Sequence, residues 1–518
     1  MLQRGAQHPR ILLAHGYDPA PVVAACAAYY HQGGPGTHPT YTVDQLVRAE
    51  MVRAWADSCS DPALEWLLAT NLIARWFVGL PLVGSTPDHS TRSRFHTWLT
   101  VQQPAAFFRD SLAFVDRVDP EPPATTPQIV DTFAMASPAA PTPSPTPLLG
   151  QLTVRLMQLW RTQASVPLPA LLSTLDLDAL SHPPRGRTTL ERQQQLQTAV
   201  QTASQVATCR TPHLAALAPP DQATAQTLIT AIYKVIADET TTDATGQVQE
   251  RPNDQKGTYR LMSVVDLEAT FRKHEGDVAV FGTNAVLSTT ATRIRAAVAL
   301  TGSIPASEAP AAVIRQLQAQ EQPLPPHLVM DRAGGWGKTR ATVLALSDGR
   351  TQMVAHIPHG GGADLSRFTP ADFRVDAERT ACPCPNGVTS TKAYASQDGD
   401  GVHFRFLASQ CRACPLWTDC RGTESNPKGH RTVFVSDYHA VLRAAAHFNA
   451  SAAGKALLQG RWQVEPTIAW LTRYHGCRQA RRVGLAAAQC QLFQACAVRN
   501  LLLWLRRVQR GLARRLAA

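Results

Sequence analysis

Between residues 278 and 300 the apolar pattern of this chain changes its period. Val278, Val280, Gly282, Asn284 and Val286 alternate with their neighbours, and Ile294, Ala296, Val298 and Leu300 do the same. A period of two puts successive side chains on opposite faces of a strand, so the region from Asp277 reads as two neighbouring strands. A helix over Pro310–Gln320 then leads to a third apolar run, His327-Leu328-Val329-Met330-Asp331. A helix near Lys338–Leu346 and a strand over Gln352–Ile357 follow. Far upstream, Gln128–Phe133 reads as one more buried strand. Strands interleaved with helices predict an α/β core.

Around that core the spacing is helical. Residues 1–118 are expected to form an all-helical N-terminal domain, with apolar faces over Tyr41–Asp57 and Pro62–Gly79. Pro87-Asp88-His89-Ser90-Thr91 supplies a helix start, capped by Asp88 or Ser90, with Arg92 and Arg94 directly after it. Such a pair fits a helix-turn-helix, and equally an ordinary helical pair. Residues 119–150 would hold the first core strand and a Pro-rich linker, with Pro138–Pro147 as a polyproline exit. The remaining boundaries are a helical insertion at 151–258, the core at 259–360, a cysteine-rich insertion at 361–432 and a basic helical part of the core at 433–518.

Charge is distributed unevenly. The 81 residues after Asp437 hold thirteen Lys or Arg and one carboxylate, Glu465, a net +12 against +11 for the whole chain. A basic segment of this kind marks a polyanion partner. A lone acid among arginines is either a surface acid paired with one of them or a ligand for a cation held against phosphate. The apolar stretch Val483–Leu505 is interrupted by Gln489, Gln491, Gln494, Arg499 and Asn500, which excludes a membrane span there. An odd count of eleven cysteines and an N-terminus without a long apolar stretch point to a reducing, cytoplasmic compartment.

Asp131 and Asp331 each close a short apolar run. Pro466 places Glu465 in the first turn of a helix, since proline is tolerated there and not deeper. Two Asp and one Glu so placed can hold two divalent ions for phosphodiester chemistry; each Asp alone also reads as an ordinary turn residue. The segment Asp331-Arg-Ala-Gly-Gly-Trp-Gly-Lys-Thr339 looks like a phosphate-binding loop, but Arg332 stands where its first glycine is required. Its glycines are better read as letting the chain leave the Asp331 run closely. Cys384, Cys411, Cys414 and Cys420, with Cys382 nearby, suit a tetrahedral structural zinc site, with free thiols as the alternative.

These stretches resemble DDE transposases of bacterial insertion sequences, in the subgroup with a helical N-terminal domain and a late cysteine cluster. The similarity is carried by Arg75-Trp-Phe-Val-Gly-Leu80 with Pro87–Phe95, by Ile129-Val-Asp131, by Leu328-Val-Met-Asp331, and by Cys384-Pro-Asn-Gly with Cys411-Arg-Ala-Cys-Pro-Leu416. The closing segment, Arg461-Trp-Gln-Val-Glu465 with Arg473, Gly476, Arg481, Gly484 and Asn500, is the most specific. The tyrosine common before the Arg461 position is Leu458 here, and the aromatic after Asp331 is Trp336, beyond extra glycines. The resemblance implies an RNase H-like mixed sheet with a large helical insertion and a small cysteine-rich module. It implies Asp131, Asp331 and Glu465 as ligands of two Mg²⁺ (or Mn²⁺) ions, with cleavage at transposon ends and strand transfer by a 3′-hydroxyl. Expected partners are double-stranded DNA, as terminal inverted repeats and target, and a second copy of the chain on the DNA. Location at the bacterial nucleoid is expected, with no membrane contact. Arg92, Arg94, Arg461, Arg473, Arg478, Arg481 and Arg482 are the candidate DNA contacts. The competing functions are a catalytically inactive DNA-binding relative on the same scaffold and a zinc-stabilised nuclease.

Overall fold

The computed structural model describes residues 8–30, 39–122, 125–163, 166–183, 186, 188–257, 259–272, 278–358, 367–376, 378–396, 399–422 and 430–517; Asp277 lies outside them. The main sheet is mixed, and its central strand is Gln128–Ala136. On one side that strand runs antiparallel to Val280–Thr289, which pairs in turn with Ile294–Thr301. On the other side it runs parallel to His327–Val329, itself parallel to Gln352–Val354. A short strand, Thr270–Arg272, pairs with the start of Val280–Thr289.

Both faces of the sheet are covered, as expected for a sheet with parallel strands. The crossover helix Ala309–Ala319 packs Val313, Ile314 and Leu317 on Val130, Val286, Leu328 and Met330. The opposite face carries Phe133, Met135, Ala285 and Leu287 under Leu492, Phe493 and Cys496 of the long helix Leu485–Ala517. Alternation along the central strand therefore assigns odd-numbered positions to the second face.

Local expectations hold with shifts. The central strand continues to Ala136, so Asp131 lies inside it rather than at its end. The stretch read as one helix over Pro62–Gly79 is two, Asp61–Thr70 and Leu72–Val78, because Asn71 caps the second by accepting from the Ala74 N–H. Asp88 caps His89–Gln102 by accepting from the Thr91 N–H. The polyproline exit ends early, since Pro145 and Pro147 fall in the first turn of the helix Pro145–Gln163, where proline costs little. From there to Glu239 the helical insertion has its own core around Leu152, Trp160, Val206 and Ile232.

The N-terminal helices do not close a core by themselves. Leu13, Val47, Leu64, Phe95 and Val115 share one apolar cluster with Cys490, Ala497 and Leu501 of the long C-terminal helix. An ionic cluster fastens the same junction: Arg293, fully buried, meets Asp116, Asp119 and Glu121, while Arg507 reaches Asp119.

The glycines after Asp331 make room for the chain itself. A Cβ on Gly335 would stand 1.9 Å from the His356 carbonyl oxygen, and one on Gly337 would stand 2.5 Å from Tyr438. Buried Arg340 donates to the carbonyls of Gly335, Met353 and Ala355. Close packing, rather than a phosphate cradle, accounts for these glycines. No single helix among the described residues is long and apolar enough to cross a membrane. A bent pair, Pro9–Gly16 with Ala20–Tyr29, passes by length and composition only when joined across a 75° bend.

Candidate active site

The central strand brings Asp131 and Asp331 together. The parallel register pairs Ile129 with Val329. Continuing it two residues sets Asp131 beside Asp331 on adjacent strand paths, with Met330 still bonded to Val354. Asp331 caps the following 3₁₀ turn, Arg332–Gly335, by accepting from the Ala333 N–H at 2.9 Å.

The third acid arrives from above. Glu465 is the first residue of the helix Glu465–Tyr474, after the 3₁₀ turn Gly460–Val464. Val464 is buried against Ile129, Val329 and Val354, with Ile468 packed beside them. Asp131 lies between Ile129 and Phe133 on the strand, and both face this helix start. The expected apolar face Val464, Ile468 and Leu471 is thus what docks Glu465 over the two Asp strands.

Electrostatics link the three acids. Burial pushes the Asp131 carboxyl above the usual range, and the charges of Asp331 and Glu465 add to the rise. The Thr132 N–H and Arg461 oppose it. Arg461 lies 3.7 Å from Asp131 and 3.4 Å from Glu465, so one guanidinium spans two of the acids. Its i,i+4 spacing to Glu465 on a helical segment was the visible sign of that pairing. Arg272, which the sequence did not single out, donates to the Thr132 carbonyl and hydroxyl beside Asp131. Among the described residues, no three or more His, Cys, Asp or Glu are gathered as a ready metal-holding group.

The cysteine-rich module is a small sheet, Ala393–Ala395, Gly401–Phe406 and Arg431–Ser436, over a core of Phe373, Phe404, Phe406 and Val433. Cys384, Cys411, Cys414 and Cys420 all line one cavity of about 30 Å³. Cys382 is instead fully buried in the module's core. Burial raises the Cys411 and Cys420 thiols, and their cysteine neighbours raise them further. All eleven cysteines are free.

The basic candidates divide. Arg94, Arg473, Arg478 and Arg481 are exposed. Arg92 is a correction: at 1 % exposure it is held by the Asp61 carbonyl and Glu65, because its position in the helix turns it into the domain core. Arg481 donates to the carbonyls of Ser58 and Asp57. Arg482 donates to Asp61, Ser93 and Thr97. These two arginines fasten the C-terminal segment to the N-terminal helices, a role their sequence setting did not reveal.

A two-layered covering of helices on a mixed sheet, with acids from two adjacent strands and one docked helix, defines an α/β protein with an acidic centre. The family model described as Transposase DDE domain matches residues 383–503. That described as Transposase domain (DUF772) matches residues 2–98. The two matches support a DDE transposase of an insertion sequence, a family whose substrate is DNA. The first match includes Glu465 and the four cavity cysteines, while Asp131 and Asp331 lie outside both. No curated protein and no solved structure matches the chain.

Proposed function

We propose that this transposase cuts and joins DNA at the ends of its element through Asp131, Asp331 and Glu465, on an RNase H-like core. The observation that carries the reading is the register that sets Asp131 beside Asp331 under the Glu465 helix start. The strand order supports the core assignment: the first strand is central, flanked by an antiparallel meander on one side and two parallel strands on the other. A half-buried Asp whose charge is opposed by two neighbouring acids fits a site that takes hard cations, since carboxylate oxygens are the ligands magnesium or manganese prefers. When bound, two such ions supply activation of the attacking oxygen and stabilisation of the leaving one. Asp131, Asp331 and Glu465 would hold them, and Arg461 would exchange its acid partners for DNA phosphate.

The exposed Arg94, Arg473 and Arg478 are proposed DNA contacts. Cys384, Cys411, Cys414 and Cys420 are proposed zinc ligands of the cysteine-rich module; their shared cavity is the supporting observation. Action as a homodimer on paired ends is part of the same proposal.

The test uses a labelled duplex carrying one element end, with Mg²⁺ for cleavage and Ca²⁺ for binding. Wild type should cut the end and join it to target DNA. Asp131→Asn, Asp331→Asn and Glu465→Gln should each abolish cutting while retaining binding. Cutting without joining would replace the proposal with a nuclease, and binding without cutting with an inactive relative. Cleavage at the wild-type rate by Glu465→Gln would remove Glu465 from the site.

A further inference from the structure

The C-terminal arginines Arg481, Arg482 and Arg507 are engaged by oxygen atoms of the chain itself. Among the described residues, Arg499 and Arg506 find no such oxygen partners. They lie seven residues apart on the helix Leu485–Ala517, hence on one face of it. Both guanidinium groups sit over the Trp470 ring, 4.9 and 4.2 Å from its centroid. Arg499 is 4 % exposed, and its Nε and Nη1 have no hydrogen-bond partner among the described residues. Burial first, and then the charge of Arg506, hold its pKa down to about 10, with no carboxylate among the described residues offsetting them. His475 feels the charges of both arginines, offset in part by Asp57; it is 2 % exposed, and its Nε2 has no partner among the described residues.

An indole face returns only part of what it costs to bury an unpaired guanidinium beside a second one. Like charges gathered without an acid are stabilised by an anion, and a guanidinium fork matches phosphate oxygens. Arg506 and Trp470 are half-buried and Tyr474, tilted against Trp470 with ring centroids 4.6 Å apart, is exposed, so the cluster faces solvent on that side.

We propose that Arg499, Arg506 and Trp470 form an anion site that takes a phosphate of the DNA backbone, separate from the carboxylate centre. The proposal rests on the DNA-cutting reading above. Trp470 follows Glu465 on the same helix by five residues, about 7.5 Å along its axis and roughly 140° around it. The site therefore lies on the flank of the carboxylates, toward the N-terminal helices, where His475 Nδ1 meets the Ala54 carbonyl and Ser58 donates to the His475 carbonyl. A phosphate held there fixes how the duplex crosses from the N-terminal domain to the carboxylates; it positions and does not read sequence.

The test compares wild type with Arg506→Gln, which changes the more exposed partner, and Arg499→Gln, each checked for folding by circular dichroism and melting temperature. Both folded variants should bind an element-end duplex and a scrambled duplex about tenfold more weakly at 0.1 M salt, and flatten the log–log salt slope by roughly 0.9. If Arg499→Gln fails to fold, Arg506→Gln decides. Arg506→Gln with wild-type affinity and slope, in a protein whose wild type cuts DNA, overturns the anion site and leaves the function standing. If wild type binds no duplex, the DNA reading fails and inorganic phosphate decides the site. Phosphate at millimolar concentration must then raise the melting temperature of wild type and not of Arg506→Gln. An equal rise in both overturns it.

Discussion

The Arg461 guanidinium stands 3.7 Å from the Asp131 carboxylate, at the same time as it holds Glu465 at 3.4 Å. A cation of the chain thus occupies part of the field that the acids create. Arg461→Ala should lower stability in chelator by about 1 kcal/mol or less, because the pair is partly screened by solvent. Mg²⁺ should then raise the melting temperature of the variant more than that of wild type. Equal Mg²⁺ responses would mean that the acids and Arg461 do not share one field.

Arg482 is predicted to matter before any DNA arrives. It bonds Asp61, Ser93 and Thr97 across the junction between the C-terminal segment and the N-terminal helices. Arg482→Ala should destabilise the free protein by about 1–3 kcal/mol, since it removes the donor to one Asp61 oxygen, the other being kept by Arg53, and the donor to two hydroxyls. A melt without DNA measures this. An unchanged melt with weakened DNA binding would restore Arg482 to the DNA surface.

Glu50 sets an acid limit on stability. It is buried among Arg53, His96 and Gln494, and although burial alone would raise it, Arg53 and His96 hold its pKa down to about 2 from 4.5. A depressed carboxyl stabilises the fold above its unfolded value and loses that contribution as pH falls. Stability should be complete with respect to Glu50 above pH 4.5 and decline toward pH 2, by an amount on the order of 3 kcal/mol. Denaturant titrations of wild type and Glu50→Gln check it: the variant should be less stable near neutrality and should lack this portion of the acid slope.

Gly335→Ala should cost about 1–3 kcal/mol, because the added methyl meets the His356 carbonyl and the backbone must give way. Lys338→Ala, at an exposed position, should stay within roughly 0.5 kcal/mol of wild type. A nucleotide that stabilised wild type and not Lys338→Ala would revive the phosphate-loop alternative.

Cys411→Ser should lower zinc content below one ion per chain in protein purified without chelator, whereas Cys382→Ser should leave zinc content unchanged. Elemental analysis of the two variants decides between a zinc site at the shared cavity and free thiols.

Much of the local order was legible because it depends on neighbours along the chain. Period two over 278–300 and the run at 327–331 marked strands; Asp88 marked a cap; Pro466 marked the helix start that carries Glu465. Boundaries were less legible where one residue redirects the backbone, as Asn71 does between two short helices. The cavity shared by Cys384, Cys411, Cys414 and Cys420, with Cys382 turned into the core, was visible as a cysteine cluster but not as a partition.

By itself the sequence determined the element types, the basic C-terminal segment and the three acids to watch, since propensity, periodicity and charge are properties of the chain. Tertiary structure alone decided what each charge faces. It set Asp131 beside Asp331 through strand register and buried Arg92 by turning its helix face inward. It assigned Arg481 and Arg482 to the N-terminal helices, and it left Arg499 and Arg506 over the Trp470 ring with no acid partner among the described residues. Charge is written residue by residue, but the partners that neutralise it are chosen by packing between elements hundreds of residues apart.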